Sequence, residues 1–332
     1  MLMTASLLVI IGGISVYREI SKKQTFTDIT NEVPWGIYVV AYFYLAGIGG
    51  GLLLLSAAGG LLVPGIAGVT AQLALGFFVG AGFSLLLDLG RPERALKILY
   101  MKKQSPMFWD FIGLTVGLGG AALLFIWQPR AESAFFARMV IGLLSCVMVF
   151  AAEGWTLNLC PGRGIWNEPL ITVVFILEGF ASALALLLFF REGPPGVIAN
   201  GLLAVMTAVL ILNFWQFSGK YFLPREPGRR NRKQEVKGVL PLRIAACALL
   251  LIAGGKGWIL LAAILVLAAG FLEKFEQVLI PQILMAYGQG NEYKHAPKYK
   301  LEANKGLIVA GLFGIAGLTY EMLNLLLPLL TG

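Results

Sequence analysis

Charge is scarce in this chain. Only 13% of its 332 residues are charged, where a soluble domain of this size carries about a quarter. There is one histidine and there are three cysteines. His295 lies in a polar stretch, and one histidine cannot supply paired axial ligands, which excludes a bis-histidine haem cytochrome. Cys146, Cys160 and Cys247 are far apart and form no Cys-x-x-Cys, so neither an iron–sulfur site nor a disulfide framework is signalled. The chain is expected to hold no haem and no metal of its own.

What is present is apolar sequence, 58% of the residues, spread over almost the whole length. The fold class expected is an all-α polytopic membrane protein. Ten stretches are candidates for spans: 1–17, 35–62, 66–88, 106–127, 134–157, 168–190, 195–217, 239–255, 257–283 and 305–330. The first has no basic start and no small-residue cleavage site, so it reads as a helix and not as a signal peptide. With ten spans, 22 of the 26 Lys and Arg residues fall on one side. The other side has only Arg130, Arg138, Arg191 and Lys256. The positive-inside rule places the basic side in the cytoplasm. The net charge of +8 is thus a topology signal and not a nucleic-acid surface. The densest basic stretch, residues 218–238, suits lipid phosphates or a docked soluble partner.

A weak repeat divides the chain. "PWGIYVVAYFYLAGIGGG" from Pro34 and "IWNEPLITVVFILEGFASA" from Ile165 enter the membrane from the basic side in the same style. Trp35 precedes Gly47 much as Trp166 precedes Gly179. Two four-helix bundles are expected, 35–157 and 168–283, with flanking helices 1–17 and 305–330. The glycines at 47–51 suit close helix packing, or a waist that admits a flat ligand.

Ionisable groups inside hydrocarbon are costly, about 2.5 kcal/mol or more at the centre, and mark function. The candidates are Asp110, Glu153, Glu178, Glu273, Lys274, Glu276 and Glu321. Glu273, Lys274 and Glu276 read as an edge cluster that satisfies itself. Glu153 and Glu178 have no opposite charge nearby in sequence, so each could carry a proton. Asn213 is the other deep polar side chain. At the basic edge, Asp88 and Arg91 are three apart and could pair, and Pro92 stops the helix. Leu96, Leu99 and Tyr100 recur among Arg94, Lys97, Lys102 and Lys103, as in an interfacial helix. Trp109 and Asp110 open the next span, and Asn158 lies at the rim below Glu153.

Three segments resemble the NrfD-like family, the membrane subunits of polysulfide reductase and related complexes. They are "VPWGIYVVAYFYLAGIGGG", "DLGRPERALKIL" followed by "SPMFWD", and "IWNEPLITVVFILEGFASALAL". The resemblance covers residues 32–220, and the last third only by hydropathy. It implies a quinone-reactive integral subunit of a respiratory oxidoreductase in a prokaryotic cytoplasmic membrane. It also implies a docked ferredoxin-like protein with several iron–sulfur clusters, and a molybdopterin or other catalytic subunit. The quinone, menaquinone or ubiquinone, would sit in the first bundle near the docked protein. The residues expected there are Trp35, Tyr38, Asp88, Arg91, Trp109, Asp110 and Asn158. Proton transfer would use Asp110, Glu153, Glu178 and Asn213, and docking would use Arg94, Lys97, Lys102, Lys103, Arg229, Arg230 and Arg232. Glu178 stands where the family pattern has a small or hydroxyl residue. Known members dock partners outside the cytoplasm, whereas the charge count here places the docking face inside. A secondary transporter and a passive anchor for a soluble reductase are the rival readings.

Overall fold

The computed structural model describes residues 2–21, 35–62, 66–89, 105–126, 133–160, 170–190, 195–218, 229–252, 255–286 and 302–331, with residues 95, 97, 100 and 166 between them. The described residues form ten helices and no strand: α1 Leu2–Ser21, α2 Ile37–Leu62, α3 Ile66–Asp88, α4 Pro106–Ile126, α5 Ser133–Asn158, α6 Ile171–Leu187, α7 Pro195–Ser218, α8 Arg229–Ile252, α9 Lys256–Ala286 and α10 Ala303–Thr331. The chain is a polytopic all-α membrane protein. Seven of these helices are long and apolar enough to cross a membrane, and Ile171–Leu187, Gly196–Leu212 and Val239–Ile252 are shorter apolar helices. The largest departure from the expected spans is α8. It begins at Arg229, ten residues before the apolar run, because Arg, Lys, Gln and Glu are good helix formers and extend the helix past the apolar run.

Packing follows sequence order. Helices α2, α3, α4 and α5 contact one another around a ring, as do α6, α7, α8 and α9. Helix α2 also touches α6 and α9, and α10 lies against α3 with α1 on it. Helix α2 has no polar face, and it is buried almost all round, as an evenly apolar helix must be. In α1 the buried residues are Ala5, Gly12, Ser15 and Glu19, a stripe at helical spacing. That stripe meets α10, where Gly12 lies against Gly311 and Asn304 donates to the Ser15 carbonyl and to Glu19.

Side-chain contacts show which helix ends share a face. Ser84 near the end of α3 donates to the Tyr38 carbonyl at the start of α2, at 2.6 Å. Thr156 near the end of α5 donates to the Pro106 carbonyl at the start of α4, at 3.1 Å. Late in α9, Gln282 exchanges hydrogen bonds with the backbone of Trp35, 2.9 Å each way. These pairs gather on one face the helix ends that carry the basic residues.

Helices α2 and α6 pack through their glycines. A Cβ on Gly51 would strike the Gly179 carbonyl, and one on Gly179 would strike the Gly47 carbonyl. Trp35 and Trp166 stack at 4.7 Å with their planes 15° apart. Trp35 and Trp166, which the sequence repeat aligns, therefore face each other across one interface.

Candidate functional site

On the face side of the α2–α5 ring, buried polar atoms converge. Asp110, one turn into α4, is held by two hydroxyls. Thr156 donates to its Oδ1 at 2.9 Å. The Tyr42 hydroxyl donates to the Asp110 backbone carbonyl at 3.1 Å and approaches Oδ1 at 3.4 Å. Tyr42 lies one turn beyond Tyr38 on the same face of α2, and Thr156 lies three residues beyond Glu153 on α5, so helical spacing delivers both.

Glu153 is fully buried, and neither carboxyl oxygen has a hydrogen-bond partner among the described residues. The charges it feels most are Lys274, Asp110 and Glu178. Beside it, a Cβ on Gly47 would meet nothing nearer than Glu153 Oε1, at 4.0 Å. The glycine run therefore divides. Gly49 lies against the Phe78 ring, Gly50 against Phe150 and Gly51 against α6, all in tight packing. Gly47 alone keeps room on its acid-facing side.

A second polar group lies behind this one. Glu178 of α6 is paired with Arg243 of α8, and Arg243 also pairs with Glu273 of α9. Lys274 Nζ stands 3.5 Å from Glu178 Oε2 and over the face of Phe175. The sequence reading of Glu178 as an acid without a counter-charge is corrected here, because its cations come from helices far along the chain. Arg243 is 65 residues away. The expectation that Glu273, Lys274 and Glu276 form an edge cluster that satisfies itself is corrected for Glu273 and Lys274. Glu273 and Lys274 are adjacent on a helix and do not face each other. Glu273 instead meets Arg243 and accepts from Gln277 at 2.9 Å, while Lys274 turns to Glu178. Arg243, Lys274 and Lys305, counted with the basic edge, are all buried.

The remaining expected residues are placed as follows. Tyr38 and Asp88 are buried at the facing ends of α2 and α3. Trp35 turns to the second ring, stacked on Trp166, whose indole N–H donates to the Gln277 carbonyl at 2.7 Å. Trp109 is half-buried between the rings of Phe108 and Trp155, and Trp155 is exposed on the outer face of α5. Asn158 is half-buried at the end of α5, and Lys97 is exposed. Arg91, Arg94, Lys102 and Lys103 lie outside the described residues. Asn213 is on α7, and Arg229, Arg230 and Arg232 are on α8, with side chains outside the described set. Sequence reasoning missed Tyr42, Thr156, Gln282 and the pairing of Arg243. Arg243 had a signal, since it interrupts the apolar run "VLPLRIAACALLLI".

The fold and this site define a class: an integral membrane protein whose helix core holds a row of acids with hydroxyl or cationic neighbours. The family model for polysulphide reductase, NrfD, matches residues 25–215, more than half of the chain. The chain belongs to the NrfD polysulphide reductase family. Three curated relatives are similar to it. A Halobacterium salinarum protein, provisionally described as a membrane subunit of a dimethyl sulfoxide reductase, is 28% identical over 191 residues, covering 49% of this chain and 44% of that one. A selenate reductase subunit from Mesobacillus selenatarsenatis is 25% identical over 243 residues, 59% of this chain and 57% of that one. The Hdr-like menaquinol oxidoreductase integral membrane subunit of Archaeoglobus fulgidus is 22% identical over 208 residues, 58% of this chain and 53% of that one. The chain spans about half the length of the curated relatives it matches.

Proposed function

We propose that this chain is the quinone-reactive membrane subunit of a respiratory oxidoreductase complex, with the quinone headgroup bound in the α2–α5 ring near Glu153. The observation that carries the reading is the Glu153 carboxyl, fully buried and without a hydrogen-bond partner among the described residues. An uncompensated acid in hydrocarbon is costly to keep and marks a functional position. Family membership and the names of the relatives support the same class.

The residues present suit such a headgroup. A flat ring with two carbonyl oxygens needs hydrogen-bonding groups and room beside them. Glu153 offers two oxygens unengaged among the described residues, and Gly47 puts no side chain against them. When bound, a quinone supplies the two-electron redox chemistry, and the protein's part is to position it and manage protons. Glu153 is suited to hold or release a proton at its carboxyl. Asp110, fixed by Thr156 and Tyr42, is the second proton-carrying group within electrostatic reach. Tyr38, Asp88, Trp109 and Asn158 lie toward the face where the headgroup would enter. The basic face, with Lys97 exposed on it, is the surface we assign to docking of an iron–sulfur partner, in the cytoplasm.

Substituting Glu153→Gln removes the proton site and keeps the shape. In the assembled complex, turnover with a short-chain quinol falls about hundredfold, the scale of a lost acid–base group. Transfer between the docked partner and an artificial dye persists. Unchanged quinol turnover would remove Glu153 from the mechanism. Equal activity with quinol and dye, unaffected by quinone-site blockers, would favour a passive anchor. Solute uptake by the isolated protein in proteoliposomes would favour a transporter.

A further inference from the structure

We infer that Lys274 is a mobile counter-ion shared between Glu178 and Glu153, and that it relays the proton state of the first ring to the ion cluster of the second. The inference rests on the reading of Glu153 as a proton-exchanging acid.

The two cations of the cluster are held differently. Arg243 bridges Glu178 and Glu273, and its planar fork fixes it to two helices. Among the described groups Lys274 has one ion-pair contact, a long one, 3.5 Å from Glu178 Oε2. Its remaining support is the face of Phe175. A lysine ammonium on four flexible carbons can swing where a forked guanidinium cannot.

Charge balance says where it would swing. Arg243 and Lys274 face Glu178 and Glu273, and Glu276 also acts on Arg243, so among the described residues Glu153 has no cation to itself while Lys274 stays with Glu178. Of the charges Glu153 feels, Lys274 from α9 is the cation, while Asp110 from α4 and Glu178 from α6 are acids. Tyr42 from α2 completes the ionisable groups around the site, and Arg243 from α8 stands behind Glu178. A bare carboxylate in this setting is strongly disfavoured unless it is paired. Breaking the Glu153 O–H bond and passing the proton to solvent water, as a rise in pH requires, therefore draws Lys274 Nζ from Glu178 toward Glu153. Glu178 is left to Arg243, and the α6–α8–α9 cluster becomes one charge more negative. Return of the proton to Glu153 sends Lys274 back. No other bond is made or broken.

The test is infrared difference spectroscopy of the assembled complex after a pH step, with no quinone turnover involved. Wild type should lose a protonated carboxyl band, absent from Glu153→Gln. In parallel it should shift a carboxylate band, which Glu178→Asp displaces. The second band's shift should vanish in Glu153→Gln and in Lys274→Met, and persist in Lys274→Arg. Its persistence in Glu153→Gln, or its absence from wild type while Glu153 titrates, overturns the relay. So does the lack of any Glu153 band. Glu153→Gln is isosteric and leaves the Lys274–Glu178 pair in place, so it decides the matter even if Lys274→Met fails to assemble. Quinol turnover, measured separately, reports on the quinone site alone.

Discussion

In the α2–α5 ring, Asp110 is held by two hydroxyls, and Glu153 by no hydrogen bond from any described residue. In the α6–α9 ring, Glu178 and Glu273 share Arg243, with Lys274 beside Glu178. Both rings bury acids, but in different company. An acid with a fixed cation is a clamp between helices, because its charged form is already compensated. An acid with only hydroxyl neighbours, or none, is free to change its proton. On the proposed function, the Arg243 clamp holds the second ring together, and proton exchange belongs to the first ring, with Lys274 between the two.

The largest test of that contrast is Arg243→Met. It leaves Glu178 and Glu273 facing each other with Lys274 alone, and breaking a buried pair this way costs about 3–5 kcal/mol. The expected outcome is loss of folded protein from the membrane, measured by size-exclusion in detergent. Glu153→Gln, by contrast, should keep the thermal midpoint within a few degrees while activity falls. If Arg243→Met folds normally and only loses turnover, the two rings do not divide the work as described.

The second test uses one glycine run against itself. Gly51→Ala puts a methyl into the Gly179 backbone, and overpacking of this kind costs about 1–3 kcal/mol or more. Gly47→Ala meets only Glu153 Oε1 at 4.0 Å and should fold as wild type. Its effect should appear as a raised KM for quinol, because the methyl takes up the space beside the acid. A lowered thermal midpoint for Gly47→Ala, with KM unchanged, would return that glycine to packing alone.

A third and smaller effect is expected at the hydroxyls. Thr156→Val removes the 2.9 Å hydrogen bond to Asp110 and keeps the volume. One hydrogen bond of this kind is worth about 1 kcal/mol. Quinol turnover should fall by roughly fivefold to tenfold with little loss of stability. The equivalent change in the second ring, Gln277→Leu, removes a donor to Glu273 and should leave turnover unchanged.

Much of this architecture was legible in the sequence, for physical reasons. Apolar runs near the length of a membrane announce helices, and the lopsided Lys and Arg count fixes how they alternate. The acids were legible one by one, since a charge in an apolar run is conspicuous. Their partners were not. Arg243 and Glu178 meet only because α6 and α8 lie in one ring, and nothing local in sequence says so. Thr156 and Tyr42 were hidden for another reason: a hydroxyl in a membrane helix usually bonds its own backbone, as Thr207 does to the Leu203 carbonyl at 2.8 Å. The start of α8 was misjudged because the apolar run and the hydrogen-bonded helix need not end together.

The two rings also meet, and their join is the finest point of the comparison. Trp35 and Trp166 are the residues that the repeat aligns, and they stack on each other. Gly47, Gly51 and Gly179 lock the same helices a few turns deeper. Equivalent residues in mutual contact are the mark of a two-fold relation between units. On that reading the stack joins the two rings. Trp35→Leu then removes an aromatic pair worth about 0.5–1.5 kcal/mol beyond its buried area. Backbone hydrogen bonds between Trp35 and Gln282 remain to hold the chain. The expected result is a small drop in thermal midpoint with the KM for quinol unchanged, and Trp166→Leu should do the same. If only Trp35→Leu raises the KM, the pair is not symmetric in use, and Trp35 belongs to the quinone pocket as well as to the join.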